Sequence, residues 1–392
     1  MSLCRSFSVL LLAGCSLASA PAADLRKVWT LDLQTPVRTA EGHEVDRIGV
    51  TALRFSPDGS RIAVAVTGYL RTHATRLLVV DVQDALHPIQ QLVLDLGTIA
   101  SDSDVLGSRP PAIAWSPGGT TLMTGSDLFK LQDGSKCKIP GGFDSGGWVA
   151  PERAIAYENG KPNTLEFFDP NCHPAGVWNL GGTEWHLLDV SADRGLVAML
   201  QVTGTAAKYS ADLVVADATS KRIIQRWPEL ETGYIARFAD SGRILCAGEG
   251  GDYSAPPEIH PRCMDVDTGK QIAEAANIMG GVAFATAEHT GRVIASDHRA
   301  SWNFLYHEAD TVLKRRVVWD VKDNVEIASW KPKMQLYDVG PKPIRRPDMF
   351  AISPDGKFIA EGGNGTLTLY KLEAGSGELA SHSFDNPVLP SR

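Results

Sequence analysis

The sequence predicts an all-β fold, a seven-bladed β-propeller of four-stranded antiparallel blades closed by strands from both chain ends. Three observations carry the expectation. A turn motif flanked by strand-like residues recurs seven times. A β-rich run, usually ending in Asp, recurs at the same interval. A Trp-bearing strand, Val28-Trp29, stands before the first turn motif without a blade of its own.

The chain has 392 residues, 43% of them apolar and 21% charged, which is a globular composition. Its net charge of -8 and lack of a basic block argue against nucleic acid as a partner. The 37 Gly and 23 Pro suit many short strands joined by tight turns.

Residues 1–23 read as an export signal: Arg5, an apolar run over 6–13, then small residues to Ala23. Leu12-Ala13-Gly14-Cys15 resembles the lipobox of bacterial lipoproteins, which makes Cys15 a candidate lipidation site. The small residues around Ala20-Pro21-Ala22 equally suit ordinary signal cleavage and secretion. Either route takes the mature chain out of the cytoplasm, into the periplasm, onto the outer membrane or outside, with no membrane contact beyond a lipid anchor. Residues 24–392 read as one propeller domain, expected to be monomeric.

Val28-Trp29 comes first and resembles a fourth strand. The turn motifs follow. Phe55-Ser56-Pro57-Asp58-Gly59 and Ile352-Ser353-Pro354-Asp355-Gly356 are the clearest copies. Trp115 to Gly119, Trp148 to Glu152, Val190 to Gly195, Phe238 to Gly242 and Glu288 to Gly291 are weaker ones. Each precedes a short apolar strand, such as Arg61-Ile62-Ala63-Val64. Pro presets φ, Asp bonds back to the backbone, and Gly takes positive φ, so each copy predicts strand, turn, strand. Anchored on the last turn residue, the spacings are 60, 33, 43, 47, 49 and 65 residues. Most lie near the ~40–50 residues of a four-stranded blade. Third strands end at Asp81, Asp169, Asp217, Asp265 and Asp320, with 128–131 and 367–370 as variants. Fourth strands carry Trp178, Trp227 and Trp330. The Trp and Phe residues at strand positions are expected to pack in the core.

These motifs resemble bacterial WD-repeat-like and YVTN-type β-propellers, over residues 25–385. The resemblance implies an interaction platform more often than an enzyme. Only Trp319-Asp320 ends a third strand as a Trp-Asp pair, and no Gly-His pair opens the blades.

Counting strands A to D outwards from the channel, the A–B and C–D turns share one face of the disc. The B–C and D–A connections share the other and are the longer ones. Loop elaboration on a rigid scaffold is where binding residues gather, so the candidate ligand or partner residues lie there. They are Tyr69, Arg71, Tyr209, Tyr253, His298, Arg299, Trp302, Tyr306, His307, Arg345 and Arg346. The basic residues at 314–316, 331, 333, 342, 345 and 346 cluster near blades 6 and 7 and suit an anionic ligand. No spacing supports a metal site, and no cofactor is expected.

Four cysteines follow the signal. Cys246 and Cys263 fall on adjacent B and C strands of one blade, within reach of a disulfide. Cys137 on a fourth strand and Cys172 in the next blade's C–D turn form the other candidate pair.

No nucleophile elbow, zincin motif or phosphate loop occurs. The expected function is therefore a non-catalytic binding or scaffold propeller of the cell envelope, holding a protein or anionic ligand on its B–C/D–A face. Two alternatives remain. One is a propeller hydrolase or lactonase with a channel metal, drawing on Asp252, Asp297, Glu308 and Asp310. The other is an accessory subunit of an envelope or redox complex.

Overall fold

The structure, a computed structural model, describes residues 24–33, 48–68, 74–83, 89–98, 113–124, 127–139, 145–157, 163–182, 184–205, 208–228, 235–248, 260–276, 278, 284–303, 308–332, 334–337, 344–347 and 349–373. Among these, seven four-stranded sheets and one two-stranded hairpin hold the thirty strands. Every sheet is antiparallel, and six are meanders of consecutive strands. Blades 1 to 6 span residues 48–98, 113–138, 145–179, 184–227, 235–274 and 284–330.

Blade 7 takes three strands from residues 349–373 and its fourth from Asp24–Asp32. Trp29 stands opposite Leu369 and Asp24 opposite Glu373. Arg26 Nε adds an ion pair to Glu373 at 2.7 Å. The expected ring closure is therefore present, and the N-terminal strand covers what would be an open sheet edge.

Inner strands read as unbroken apolar runs because both sheet faces are buried. Ile62, Ala63, Val64, Ala65 and Val66 are all fully buried. Even residues of this strand join Val50, Phe55, Ala351 and Leu369 in a cluster shared with blade 7, while Ala63 and Ala65 join Trp115 and Leu122 of blade 2. The core thus consists of layers between neighbouring blades. Trp29, Trp115, Trp148, Trp178, Trp185, Trp319 and Trp330 are buried, as the sequence leads one to expect. Blades 3 and 4 pack closely, so that a Cβ on Gly147 would lie 2.9 Å from Cβ of Val190 in blade 4.

Blades 6 and 7 also share a buried ion pair. Arg316 meets Glu361 at 2.8 Å with the side chains 1% and 4% exposed. The guanidinium lies over the Phe350 ring, and Trp330 Nε1 donates to Glu361 at 3.3 Å. Tyr370 OH donates to the same carboxylate at 3.4 Å.

Both expected disulfides form. Cys246 and Cys263 are directly opposed on neighbouring strands of blade 5. Cys137 and Cys172 tie the D strand of blade 2 to the C–D turn of blade 3. The sole helix among the described residues is a three-residue 3-10 turn, Asp240–Gly242, so no described helix is long and apolar enough to cross a membrane.

Candidate functional site

The A–B turns form a linked rim around one end of the channel. In the two clearest copies the motif serine is the hub. Ser56 is fully buried, donates to Asp58 at 2.5 Å and accepts the Arg61 N–H at 2.9 Å. Ser353 repeats this with Asp355 at 2.6 Å and Phe358 N–H at 2.9 Å. Gly59 and Gly356 take φ of 71° and 70°, which only Gly adopts freely. Partial burial alone would raise the Asp58 carboxyl, but the Ser56 and Ser60 hydrogen bonds and the Arg61 charge hold it below the usual carboxylate range.

Arginines next to these turns reach the following blade. Arg61 donates to the Gly119 carbonyl at 2.8 Å, Arg194 to Gly242 at 3.2 Å and Arg292 to Gly356 at 2.9 Å. Backbone bonds continue the rim, from Asp240 to Thr290 and from His289 to Pro354, each at 2.9 Å.

Inside this rim lies a cavity of about 320 Å³. Its polar wall includes Arg54, Asp58, Asp189, Asp193, Glu288 and His289, and its apolar wall includes Trp115, Trp148 and Phe238. Arg54 of blade 1 reaches Glu288 of blade 6 at 3.3 Å, with 37% of its side chain open to the channel. Burial would lower the guanidinium pKa, but the charges of Glu288 and Asp189 outweigh it and raise it. Asp189 accepts the Phe238 N–H at 2.8 Å. Ser241 Oγ and Asp193 approach the same nitrogen of His289, Nδ1, at 3.5 and 3.8 Å. A nucleophile relay needs the serine and the acid on different ring nitrogens, so these three residues do not form one.

The opposite face holds the B–C and D–A connections, where the described candidates named from sequence fall. There the expected long B–C connection of blade 6 is largely strand. Arg292–Asn303 pairs with Glu308–Asp320 as far as Asn303 opposite Glu308. Among the described residues, the flanking A strand pairs up to Ala295 and the D strand up to Arg316. A two-stranded ribbon therefore continues beyond the blade, about 20 Å for six residues per strand. His298, Arg299 and Trp302 lie on this ribbon rather than in a loop. Glu308 and Asp310 lie on its returning strand. Cross-strand pairing satisfies backbone groups that a loop would leave to water.

Arg345 and Arg346 also lie in a strand, not a loop. The D–A connection between blades 6 and 7 folds as the hairpin Met334–Tyr337 with Ile344–Pro347. Tyr209 falls on strand Lys208–Asp217 of blade 4, opposite Gly204. The topology thus gathers His298, Arg299, Trp302, Arg345 and Arg346 in one sector of this face, with Tyr209 two blades away. Tyr69, Arg71, Tyr253, Tyr306, His307, Asp252 and Cys15 lie outside the described residues.

Two further expectations are corrected. Asp297 is not a loop carboxylate free for a metal. It is 0% exposed and pairs with Arg315 at 3.1 Å, which in turn holds Glu326 at 2.7 Å. The basic cluster is also smaller than the sequence suggests, because Arg315 and Arg316 are engaged in ion pairs with Asp297, Glu326 and Glu361.

Sequence reasoning assigned no role to the channel residues. A signal existed. The residue before the apolar turn residue is Arg54, Ala114, Gly147 and Asp189 in successive copies, and all four line the cavity.

Residues 34–71 match the family model described as WD domain, G-beta repeat. A chain from a solved structure titled "Crystal Structure of Mitotic Checkpoint Complex" is similar in fold, with a TM-score of 0.51 at 14% identity. The similarity covers 95% of this chain and 100% of that chain. No curated protein matches the sequence.

Proposed function

We propose that this WD-repeat propeller is an exported, non-catalytic binding platform that holds a protein partner with an anionic surface on its B–C/D–A face. The observation that carries the reading is the ribbon of blade 6. It continues the blade's B and C strands as far as Asn303 opposite Glu308, and the following D–A connection folds as the hairpin that bears Arg345 and Arg346. Aromatic and Arg residues dominate protein interface energetics, and Arg299, Trp302, Arg345 and Arg346 supply both types in one sector. Propellers of the WD-repeat kind generally serve as interaction scaffolds, and the S-P-D-G turns favour kinship with the bacterial YVTN-type group. Export, through signal cleavage or lipidation at Cys15, is supported by two disulfides, which persist in oxidising compartments.

The test is cross-linking of the full-length protein in its own membranes, followed by purification of the captured partner and measurement of its Kd. Arg299→Ala/Trp302→Ala and Arg345→Ala/Arg346→Ala should each weaken binding by at least about tenfold, as loss of interface anchors does. Unchanged Kd in both variants would overturn the reading.

A further inference from the structure

The D strands form the outer side of the disc, and aliphatic groups are unevenly exposed there. Among the described residues, the exposed large hydrophobics are Val177, Ile223, Ile224 and Ile272, at 48%, 46%, 41% and 42%. All four lie on D strands of three successive blades, Pro174–Asn179 of blade 3, Arg222–Trp227 of blade 4 and Gln271–Glu274 of blade 5. Bonds between blades tie these strands together. Lys221 Nζ donates to the Val177 carbonyl at 2.6 Å. Gln225 Nε2 donates to the Asp267 carbonyl at 3.3 Å, and Trp227 Nε1 to the Gly269 carbonyl at 2.8 Å.

The repeat supplies an internal comparison. The D strands of blades 4 to 7 bulge at the same step, and the extra residue is Ile224, Ile272, Ile327 and Val28 in turn. Ile327 and Val28 are partly buried against the layers beside them. Ile224 and Ile272 hold the equivalent place and stand in water. Aliphatic groups gathered in the open, at a position the fold covers elsewhere, mark a contact surface.

A second observation is the charge around them. Lys221, Arg222 and Lys270 are exposed, and among the described residues no carboxylate pairs with any of the three. The nearby acids are engaged, Asp267 by Arg194 and Glu274 by Arg262. The patch is thus cationic on a chain of net charge -8.

We infer that the outer side of blades 3 to 5 is a second docking surface, for an acidic polypeptide segment of another protein that carries aliphatic side chains. Its aliphatic groups cover Ile223, Ile224 and Ile272, and its carboxylates meet Lys221, Arg222 and Lys270. A symmetric contact with a second copy would set these cations against themselves. A bilayer would cover the isoleucines. It would leave unsatisfied the backbone groups on the outer edges of the D strands, with which no further strand pairs among the described residues. A polypeptide supplies both apolar cover and hydrogen-bond partners. The bulges turn these edges away from indiscriminate strand pairing, so side chains select the segment. This surface lies apart from the B–C/D–A face and does not rest on the ribbon.

A random dodecapeptide display library tests this on the mature protein, with Ile224→Ser/Ile272→Ser used for counter-selection. Sequences that combine Asp or Glu with Ile, Leu or Val should be enriched. A synthetic peptide of the enriched sequence should bind wild type at least about tenfold more tightly than Ile224→Ser/Ile272→Ser or Arg222→Glu/Lys270→Glu. Both variants should keep the wild-type melting temperature, since all four side chains are exposed. No enrichment, or enrichment of sequences without acidic residues, overturns the proposal. So does binding to phosphatidylglycerol vesicles that is lost in the same variants, which identifies a bilayer. Dimerisation of the wild type that Ile224→Ser/Ile272→Ser abolishes identifies a second copy and equally overturns it. Arg299→Ala/Trp302→Ala and Arg345→Ala/Arg346→Ala should leave the peptide affinity unchanged, which separates failure here from failure of the partner platform.

Discussion

Ser56 shows how much one residue of the repeat motif does. It fills the A–B turn from below, so that Asp58 and the Arg61 N–H both bond to its hydroxyl. The sequence points to Pro, Asp and Gly as the turn formers, and the positive φ at Gly59, Gly119, Gly195, Gly242 and Gly356 agrees. The serine's role emerges only when its burial is seen. The turn aspartates also set a pH dependence. Burial opposes ionisation of Asp58 and Asp355, but hydrogen bonds from Ser56 and Ser353 prevail and both carboxyls stay below their ordinary value. Asp169, Asp217 and Asp265 are likewise lowered, by His173, Ser220 and Thr268 respectively. A depressed folded value stabilises above the unfolded carboxylate pKa, about 3.9, and that stability is lost as pH falls through the folded value. Asp58→Asn/Asp355→Asn should therefore lower the urea midpoint at pH 7, and the gap to wild type should narrow as pH falls below the unfolded carboxylate value, about 3.9. Denaturation at several pH values reads this out, and a gap independent of pH would contradict it.

At the scale of elements, blade 5 has short strands and relies on a covalent tie. Its B and C strands, Ile244–Gly248 and Arg262–Asp265, are joined by Cys246–Cys263, which closes a separation of 17 residues. Closing a loop of that order contributes about 3 kcal/mol in the chain-entropy view. Cys246→Ala/Cys263→Ala should thus lower stability by about 2–4 kcal/mol. Reduction should destabilise the wild type by more than this variant, in which only Cys137–Cys172 remains to be reduced. Blade 6 uses the opposite device, with the longest strands among the described residues and a ribbon that continues past its own A and D strands. Its polar and aromatic content, Asp297 to Asp310, reads as a connection in sequence because period-2 alternation is weak there. The register that makes it strand comes from pairing with Glu308–Asp320.

At the scale of the molecule, the ring depends on the strand Asp24–Asp32. It covers Leu367 and Leu369 of blade 7 and brings Trp29 into the layer shared with blade 1. Removing residues 24–33 leaves an uncovered edge strand, a template for association with other chains. That truncation should elute as aggregate or unfold at a lower temperature, and a synthetic peptide of residues 24–33 should restore the monomer. Size-exclusion chromatography with and without the peptide decides it, and a stable truncated monomer would show that closure is dispensable. Rim bonds such as Arg61 to Gly119 and Arg292 to Gly356 explain why the channel keeps its shape. These turns are held by a neighbouring blade as well as by their own.

The sequence alone determined the blade count, the order of strands and the N-terminal closure, and it named both cysteine pairs as candidates. All of these follow from a period and from near-neighbour pairing, which are local or repeated properties. The tertiary structure alone decided where chemistry is concentrated. Arg54 and Glu288 are 234 residues apart and meet because the ring brings blades 1 and 6 to one channel. Arg316 and Asp297 look like surface charges in sequence, yet inter-blade packing buries both with partners. Trp148 is indistinguishable from Trp115 in the motif. Only the geometry of neighbouring blades leaves one indole bonded and the other without an acceptor, because that bond crosses a blade interface no local pattern encodes.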